Sequence, residues 1–361
     1  MISKTRLFGR PVFRSVNTAL RILVGCGIIV WGSSANATES GTSVYLLGTG
    51  GPGAAIMPPL EGIFVDNTSY LYDGSAGGSR DFILGGNVAS GLEASAFINI
   101  TSALWVPSTS FAGGTLALGM AVPVGGPSID ASAVISGPRG NQVGVSAEDS
   151  TFTLGDPLLL AALGWKSGKW HFQASTMVNI PVGDYDYGEL ANISFNRWAS
   201  DFSLATSWHD PESGWDISAK AGVTFNGTNK KTDYDSGTEF HLEGAIEKTL
   251  SPHFSLGVIG YHFEQLSGDS GDGAALGSFR GRVTALGGTA ATHFKVGPIP
   301  MALRLKVLEE FNVKNRMKGT VGLISLAFPI SVKMPPGRTP LSKRQDKRGG
   351  QCNVSWNSSS T

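Results

Sequence analysis

The sequence predicts an all-β fold, an antiparallel up-and-down transmembrane β-barrel of about 14 strands, with 12 to 16 strands possible. Apolar and polar residues alternate through many segments of strand length, and short turns alternate with longer Gly- and Asp-rich connections. After residue 37 there is no apolar run long enough for a membrane helix. In lipid, only helices and closed barrels satisfy every backbone polar group, so strands that span must close into a barrel.

Residues 1–37 have the features of a secretory signal peptide. Met1 to Arg21 carries five basic residues and no acidic one, and Ile22 to Trp31 is an apolar run too short to span as a helix. Ala35-Asn36-Ala37 then offers a small-x-small cleavage site. We expect export and cleavage after Ala37; the rival is a lipoprotein box ending at Cys26, which would leave an acylated cysteine at the new N-terminus.

The composition limits which classes of partner are expected for the exported chain. The 28 basic and 28 acidic residues cancel, which argues against a nucleic-acid surface. The only cysteines are Cys26 and Cys352, so no disulfide framework holds the fold. The expected partners are the lipids of a bacterial outer membrane, the barrel-assembly machinery and a small solute; no cofactor is expected.

The segment from Trp215 to Asn226 shows the barrel pattern clearly. Its odd-numbered residues form an apolar row with an aromatic at each end, and its even-numbered residues are polar or small. Residues 237–250 repeat this pattern. The alternative is a water-soluble β-sandwich, in which the apolar rows would face a shared core.

The first five strands are predicted at 60–72, 82–92, 94–106, 111–124 and 128–137. The barrel as a whole is predicted over 60–330, with short turns at the end that holds both chain termini. Residues 38–59 are a Gly- and Pro-rich extension that can plug the pore, line a lateral exit or remain an ordered or loose terminus. Residues 331–361 form a basic tail that reads as disordered.

Charged residues of mixed sign are expected on the inward rows. They can pair across strands to stabilise the wall, or screen solutes as charged rings do in other pores. The lumen-lining candidates are Asp201, Asp216, Lys220, Glu239, His241, Glu243, Glu247, Arg280, Arg282, Arg304 and Lys306.

No catalytic residue is predicted, and the chain is not expected to be an enzyme. It has no GxSxG nucleophile elbow. His241 alone among the histidines is flanked on its own face by two carboxylates, Glu239 and Glu243, which favours a polar network in the lumen. An outer-membrane lipid hydrolase remains a distant alternative.

No metal site is predicted. Four aspartates on two connections offer oxygen ligands next to glycines, which makes Ca²⁺ conceivable, but their spacing is not that of an EF-hand loop. These weak candidates are Asp233, Asp235, Asp269 and Asp272.

Several short motifs resemble one known family, the outer-membrane barrels associated with the meta-pathway of phenol degradation. The resemblance runs from about Pro59 to Pro329 and is carried by the segments 155–158, 181–186, 196–198, 232–241 and 269–274. It implies a barrel and an uptake channel for small aromatic or hydrophobic solutes, and no catalytic role. The alternative from the residues is a structural or adhesive surface barrel without transport.

Overall fold

The structure, a computed structural model, describes residues 39–76, 81–135 and 145–333. The predicted signal peptide, its cleavage site, both cysteines and the predicted tail from residue 334 onward lie outside the described residues. Within them there is one short 3-10 helix, Glu39–Gly41, and seventeen β-strands. No helix among the described residues is long and apolar enough to cross a membrane.

The strands vary from two to twenty-five residues in length. In chain order they are β1 (Gly62–Ser75), β2 (Asp81–Leu84), β3 (Asn87–Phe111), β4 (Gly114–Ile135), β5 (Val145–Ser150), β6 (Thr153–Leu154), β7 (Leu158–Ser167), β8 (Trp170–Asn179), β9 (Ala199–Asp210), β10 (Trp215–Asn226), β11 (Thr228–Asn229), β12 (Tyr234–Asp235), β13 (Glu239–Ser251), β14 (Phe254–Gln265), β15 (Arg282–Val296), β16 (Ile299–Lys314) and β17 (Lys318–Val332).

Twelve of these strands close into an antiparallel barrel. Each pairs with the next barrel strand along the chain, and β1 pairs with β17 to close the ring. Strands β2, β5 and β6 pair outside the ring, and β11 and β12 form a separate small hairpin. The predicted fold class is therefore confirmed.

One end of the barrel, called the turn end here, holds the short connections after β3, β7, β9, β13 and β15. The other end, the loop end, holds the long connections; an exception is the three-residue link between β16 and β17.

The strand count is twelve rather than about fourteen because two long strands were each divided in the prediction. Strand β3 runs through the predicted break near residue 93, and β4 runs through Gly125-Gly126-Pro127. These glycines do not make a turn. A Cβ on Gly125 would lie 2.1 Å from the carbonyl oxygen of Phe97, so glycine is needed there for the close approach of β3.

The apolar rows lie on the outside of the barrel. Leu204 is 69% exposed, and Leu286 and Val307 are 59% exposed, while the residues next to them in sequence are far less exposed. A sandwich would bury these rows in a shared core, so that alternative is wrong. An apolar exterior on a closed barrel is suited to lipid contact.

A small polar group interrupts the apolar exterior between β1 and β3. The side chain of Asn67 donates to Asn99 Oδ1 and Thr101 Oγ1, both at 2.8 Å, and Asn99 donates to Ser69 Oγ at 3.0 Å. Asn67 and Ser69 share the outer row of β1 with Leu71, which is 41% exposed, and Thr101 and Asn99 lie opposite them on β3. The four side chains satisfy one another, which lowers the cost of placing them against lipid.

Gly287 of β15 is required by the close approach of β16, and this generates a stability prediction. A Cβ on Gly287 would lie 1.9 Å from the carbonyl oxygen of Val307, whereas a Cβ on the adjacent Gly288 would lie 3.9 Å from the carbonyl oxygen of Gly257, an ordinary contact. We expect Gly287→Ala to lower the free energy of unfolding by about 1–3 kcal/mol through overpacking. Gly288→Ala is the matched control and should have little effect. Urea unfolding in lipid vesicles measures both, and equal midpoints would contradict the prediction.

Candidate functional site

The lumen is occupied in part by the chain's own N-terminal segment, defined here as residues 39–58. At the loop end, Glu39 forms an ion pair with Arg197 of the β8–β9 connection at 3.7 Å. Farther along, the backbone N–H of Gly53 donates to Asp216 and Ser218, both at 3.0 Å. The segment then leaves at the turn end and continues into β1. It therefore runs the length of the lumen against the polar inner wall of β9, β10 and β13.

Lys306 holds the middle of the N-terminal segment. This buried lysine on β16 donates to the carbonyl oxygens of Gly48 at 2.8 Å, of Thr49 at 3.1 Å and of Gly50. Glu243 on β13 accepts from the backbone N–H of Gly48 at 2.8 Å. Two buried charges of opposite sign thus hold one short stretch of backbone through charge-assisted hydrogen bonds.

Glycine allows the N-terminal segment to approach the wall this closely. A Cβ on Gly50 would lie 2.3 Å from Oε2 of Glu243. Gly51, at φ +125°, has backbone geometry that other residues rarely adopt. The Gly-rich composition of the segment is therefore explained by docking to the barrel wall.

His241 belongs to this docking surface and lacks the geometry of a catalytic base. Its Nε2 lies 2.9 Å from Asp201 and 3.4 Å from Ser203 Oγ, so both partners approach the same nitrogen. A serine nucleophile needs the carboxylate on the opposite nitrogen to orient the ring. The ring of Tyr45 also stacks on His241 at 3.5 Å, and Lys220 lies 4.8 Å from that Tyr45 ring.

The structure brings most of the predicted lumen residues to the inner wall. Arg304 donates to Glu247 and to Thr289, and the side chain of Ser43 donates to Glu239. Buried members of the predicted set are Asp201, Asp216, Glu239, His241, Glu243, Glu247 and Lys306.

Two predicted lumen residues are placed elsewhere. Arg280 precedes β15, in the connection, where its carbonyl accepts from Asn315. Arg282 pairs with Glu264 in register and falls in the row of Leu286, the outer row of β15. The prediction started this strand before Arg282 and assigned its even-numbered residues to the lumen, whereas they face outward. Alternation is unreliable near a loop, and here the register shifts between Arg282 and Thr284.

A cavity of about 210 Å³, called the loop-end cavity here, lies beside the N-terminal segment. Tyr70 and Tyr72 of β1 and Ile98 and Ile100 of β3 line one side. Val44, Tyr45 and Leu47 of the segment line another, together with Leu158, Leu190 and Ile193. Its polar lining residues include Glu39, Asp156, Arg197, Glu310 and Arg316.

A second cavity of about 1040 Å³, the turn-end cavity, continues along the same strands. It is lined by Asp66 of β1 and by Ser102 and Leu104 of β3. Ile100 lines the loop-end cavity and Ser102 the turn-end cavity, and they are about 7 Å apart along one strand face. Between the two cavities Thr68 donates to Asp66 at 2.7 Å.

Sequence reasoning missed the aromatic and aliphatic lining of the loop-end cavity. The predicted lumen residues begin at Asp201, and no lumen residue was predicted on the first strands. The signal was present at Tyr70-Leu71-Tyr72, in which two tyrosines two residues apart must share a face of the strand.

The aspartates of the long connections form hydrogen bonds with the loops themselves. Asp269 accepts from the hydroxyl of Tyr234, the side chain of Gln265 and the N–H of Gly237. Asp235 accepts from Thr228. Within the described residues no group of three or more His, Cys, Asp or Glu side chains is arranged to hold a metal ion. The possible Ca²⁺ ligands at Asp233 and Asp272 are thus not joined into a site there.

Comparison with protein families gives one match. The sequence model of the family described as "Putative MetA-pathway of phenol degradation" matches residues 77–326, which is more than half of the chain. No curated protein sequence matches the chain at a significant level.

A solved outer-membrane structure supports the fold. The chain is similar to an outer membrane channel from Pseudomonas putida F1, with a TM-score of 0.57 and 18% identity, over 76% of this chain and 98% of that one. The β domain of the autotransporter BrkA from Bordetella gives a TM-score of 0.42 at 10% identity, over 74% and 99%. A FadL homologue from Pseudomonas aeruginosa gives 0.35 at 10% identity, over 77% and 91%.

The contacts of Lys306 generate a prediction about the N-terminal segment. We expect Lys306→Met to release the segment, because hydrogen bonds from a charged group contribute roughly 1.5–3 kcal/mol each. A Leu47→Cys probe in a Cys352→Ser background, at a position only 6% exposed, should then react about tenfold faster or more with a membrane-impermeant thiol reagent. Lys318→Met, at an exposed lysine, is the control. Equal rates in the two variants would show that Lys306 does not hold the segment.

The position of Asp269 generates a pH prediction. Burial raises the pKa of its carboxyl to about 6, above the ordinary 3.8, although hydrogen bonds from Tyr234, Gly237 and Gln265 act in the opposite direction. The folded loop therefore binds a proton more tightly than the open loop, and its stabilisation is lost as pH rises through about 6. The opening free energy at the Gly237 amide should fall by roughly 1–3 kcal/mol from pH 4 to pH 7.5. Hydrogen exchange corrected for intrinsic rates measures it. Asp269→Asn should remove the dependence, and a pH-independent wild-type value would refute the assignment.

Proposed function

This chain belongs to the family described as "Putative MetA-pathway of phenol degradation", and we propose that it is a passive outer-membrane uptake channel for small aromatic or hydrophobic solutes. The loop end faces the exterior and the turn end the periplasm, as in outer-membrane barrels with long external loops. The name of the similar Pseudomonas putida protein, an outer membrane channel, supports the proposal.

The observation that carries the proposal is the succession of two cavities along the inner faces of β1 and β3. The loop-end cavity is lined by Tyr70, Tyr72, Ile98 and Ile100, and the turn-end cavity begins two residues farther along β3. Apolar walls of this kind favour apolar solutes over sugars, because an apolar solute loses no hydrogen bonds on entry.

The N-terminal segment narrows this route. It contributes Val44, Tyr45 and Leu47 to the wall of the loop-end cavity and is held by Lys306 at the level where the two cavities meet. A solute must therefore pass between the segment and the strands β1 and β3. Displacement of the segment from Lys306 and Glu243 would widen this route, which makes the segment the part of the lumen that sets the pore width.

A structural or adhesive surface barrel is the alternative, and it does not require two consecutive cavities beside the N-terminal segment. The hydrolase alternative is disfavoured by the geometry at His241, where the serine and the aspartate approach the same nitrogen. We propose that the chain acts without catalysis.

Displacing the N-terminal segment tests the proposal. Deletion of residues 43–58 should raise single-channel conductance in planar bilayers several-fold, and Gly50→Val should raise it less, because a side chain at position 50 meets Glu243. Thr49→Ala, at an exposed neighbour in the same segment, is the matched control and should conduct as the wild type does.

The solute class is tested in cells that have or lack the protein. Accumulation of phenols and other small aromatics should increase with the protein, and accumulation of sugars should not. Equal uptake of every compound, together with unchanged conductance after the deletion, would favour the structural barrel instead.

A further inference from the structure

We propose that the loop-end cavity is a binding site for a single-ring aromatic carboxylate, with the guanidinium groups of Arg197 and Arg316 as its polar anchors. This inference rests on the proposed function, because it names the chemistry of the solute that enters through this cavity. It adds a charge requirement that an apolar uptake channel would not have.

The size of the cavity limits the ligand to about one ring. An apolar cavity of about 150 Å³ in another protein binds benzene. The loop-end cavity, at about 210 Å³, has room for such a ring and a small substituent. Tyr70, Tyr72, Ile98 and Ile100 supply the apolar and aromatic surface against which the ring would lie.

Both arginines that line the cavity have an unpaired nitrogen. Nη2 of Arg197 and Nη1 of Arg316 are buried and have no hydrogen-bond partner among the described residues. Arg197 as a whole is only 2% exposed. A buried polar group without a partner costs about 1–3 kcal/mol, so a ligand that pairs with these nitrogens gains that energy on binding.

Neighbouring residues contact both guanidinium groups. Arg197 donates from Nε to Asn226 at 3.2 Å and lies 5.1 Å from the ring of Phe195. Arg316 lies 4.3 Å from the ring of Phe263. Each group thus lies against an aromatic ring while a buried donor nitrogen stays unpaired, a pre-organised arrangement for an anionic oxygen.

The carboxylates of the cavity do not have this free capacity. Asp156 accepts from Asn179 and from two backbone N–H groups. Glu310 accepts from the hydroxyls of Tyr72 and Tyr261 and from the N–H of Gly319.

Glu39 completes the set of occupied acceptors, since it accepts from Asn229 and pairs with Arg197. The other buried lining atoms without a partner are the hydroxyl oxygens of Tyr45 and Ser194, which can donate. The unpaired polar atoms of the cavity can therefore all donate a hydrogen bond to an acceptor on the ligand. A carboxylate is among the acceptors that guanidinium groups bind most strongly.

Calorimetry on the full-length mature barrel in lipid nanodiscs tests the inference, with benzoate and benzyl alcohol as probes. Benzoate should bind at least about tenfold more tightly than benzyl alcohol, a difference of about 1.4 kcal/mol. Arg316→Gln should remove that preference and leave benzyl alcohol unaffected, and Arg316→Lys should keep part of it. Equal affinities for the two probes in the wild type would overturn the inference.

A steric pair of variants keeps the test decisive if an arginine variant does not fold. Ile98→Trp fills the cavity and should abolish benzoate binding, while Phe97→Trp, at an outward position 42% exposed on the same strand, should leave it intact. Binding unchanged in Ile98→Trp would place benzoate elsewhere and refute the site. If benzoate binds as expected but cells show no solute uptake, the channel proposal fails while the binding site stands.

Discussion

Closure of the barrel between β1 and β17 is the constraint on which the rest of the structure depends. The two strands pair along the whole of β1, from Gly62 opposite Val332 to Ser75 opposite Lys318. Lipid offers no hydrogen-bond partner to an open strand edge, so the first and last strands must meet. Their meeting gives every strand one row that faces an enclosed lumen and one that faces outward, and it places both ends of the barrel chain at the turn end. The N-terminal segment starts at the loop end, at Glu39, whereas β1 starts at the turn end. The segment connects the two ends through the lumen.

The lumen is divided between two kinds of wall. From β9 to β16 the inward side chains include many charged and polar groups, and several of these bind the N-terminal segment. Lys306 and Glu243 hold the backbone at Gly48, and Asp216 accepts a hydrogen bond from the N–H of Gly53. The opposite side, formed by β1 and β3, is more apolar and borders the cavities. Many of the charges therefore hold the segment, and on the side of β1 and β3 the loop-end cavity is bordered by Tyr70, Tyr72, Ile98 and Ile100.

In the proposed channel, this division separates the docked segment from the route of the solute. A segment that docks through charged side chains onto the wall keeps those charges away from the solute route. The unpaired nitrogens of Arg197 and Arg316 are exceptions on that route, and they sit close to the start of the segment at Glu39 and Gly41. The proposed binding site and the start of the segment are thus adjacent at the loop end.

The sequence by itself determined the fold class, the apolar exterior and the face of most charged residues, because alternation along a strand is a local property that any strand must show. It identified the family through short motifs, and the match over residues 77–326 confirms that resemblance. Only the tertiary structure decided that β3 and β4 are single long strands, since Gly125 is needed for contact with a neighbouring strand rather than for a turn. The tertiary structure also decided that Lys306 binds the backbone around Gly48, which is more than 250 positions away in the chain. It likewise brought Tyr70, Ile98 and Arg197 to one cavity. Those contacts join distant parts of the chain through the curvature of the closed barrel, which no local pattern encodes.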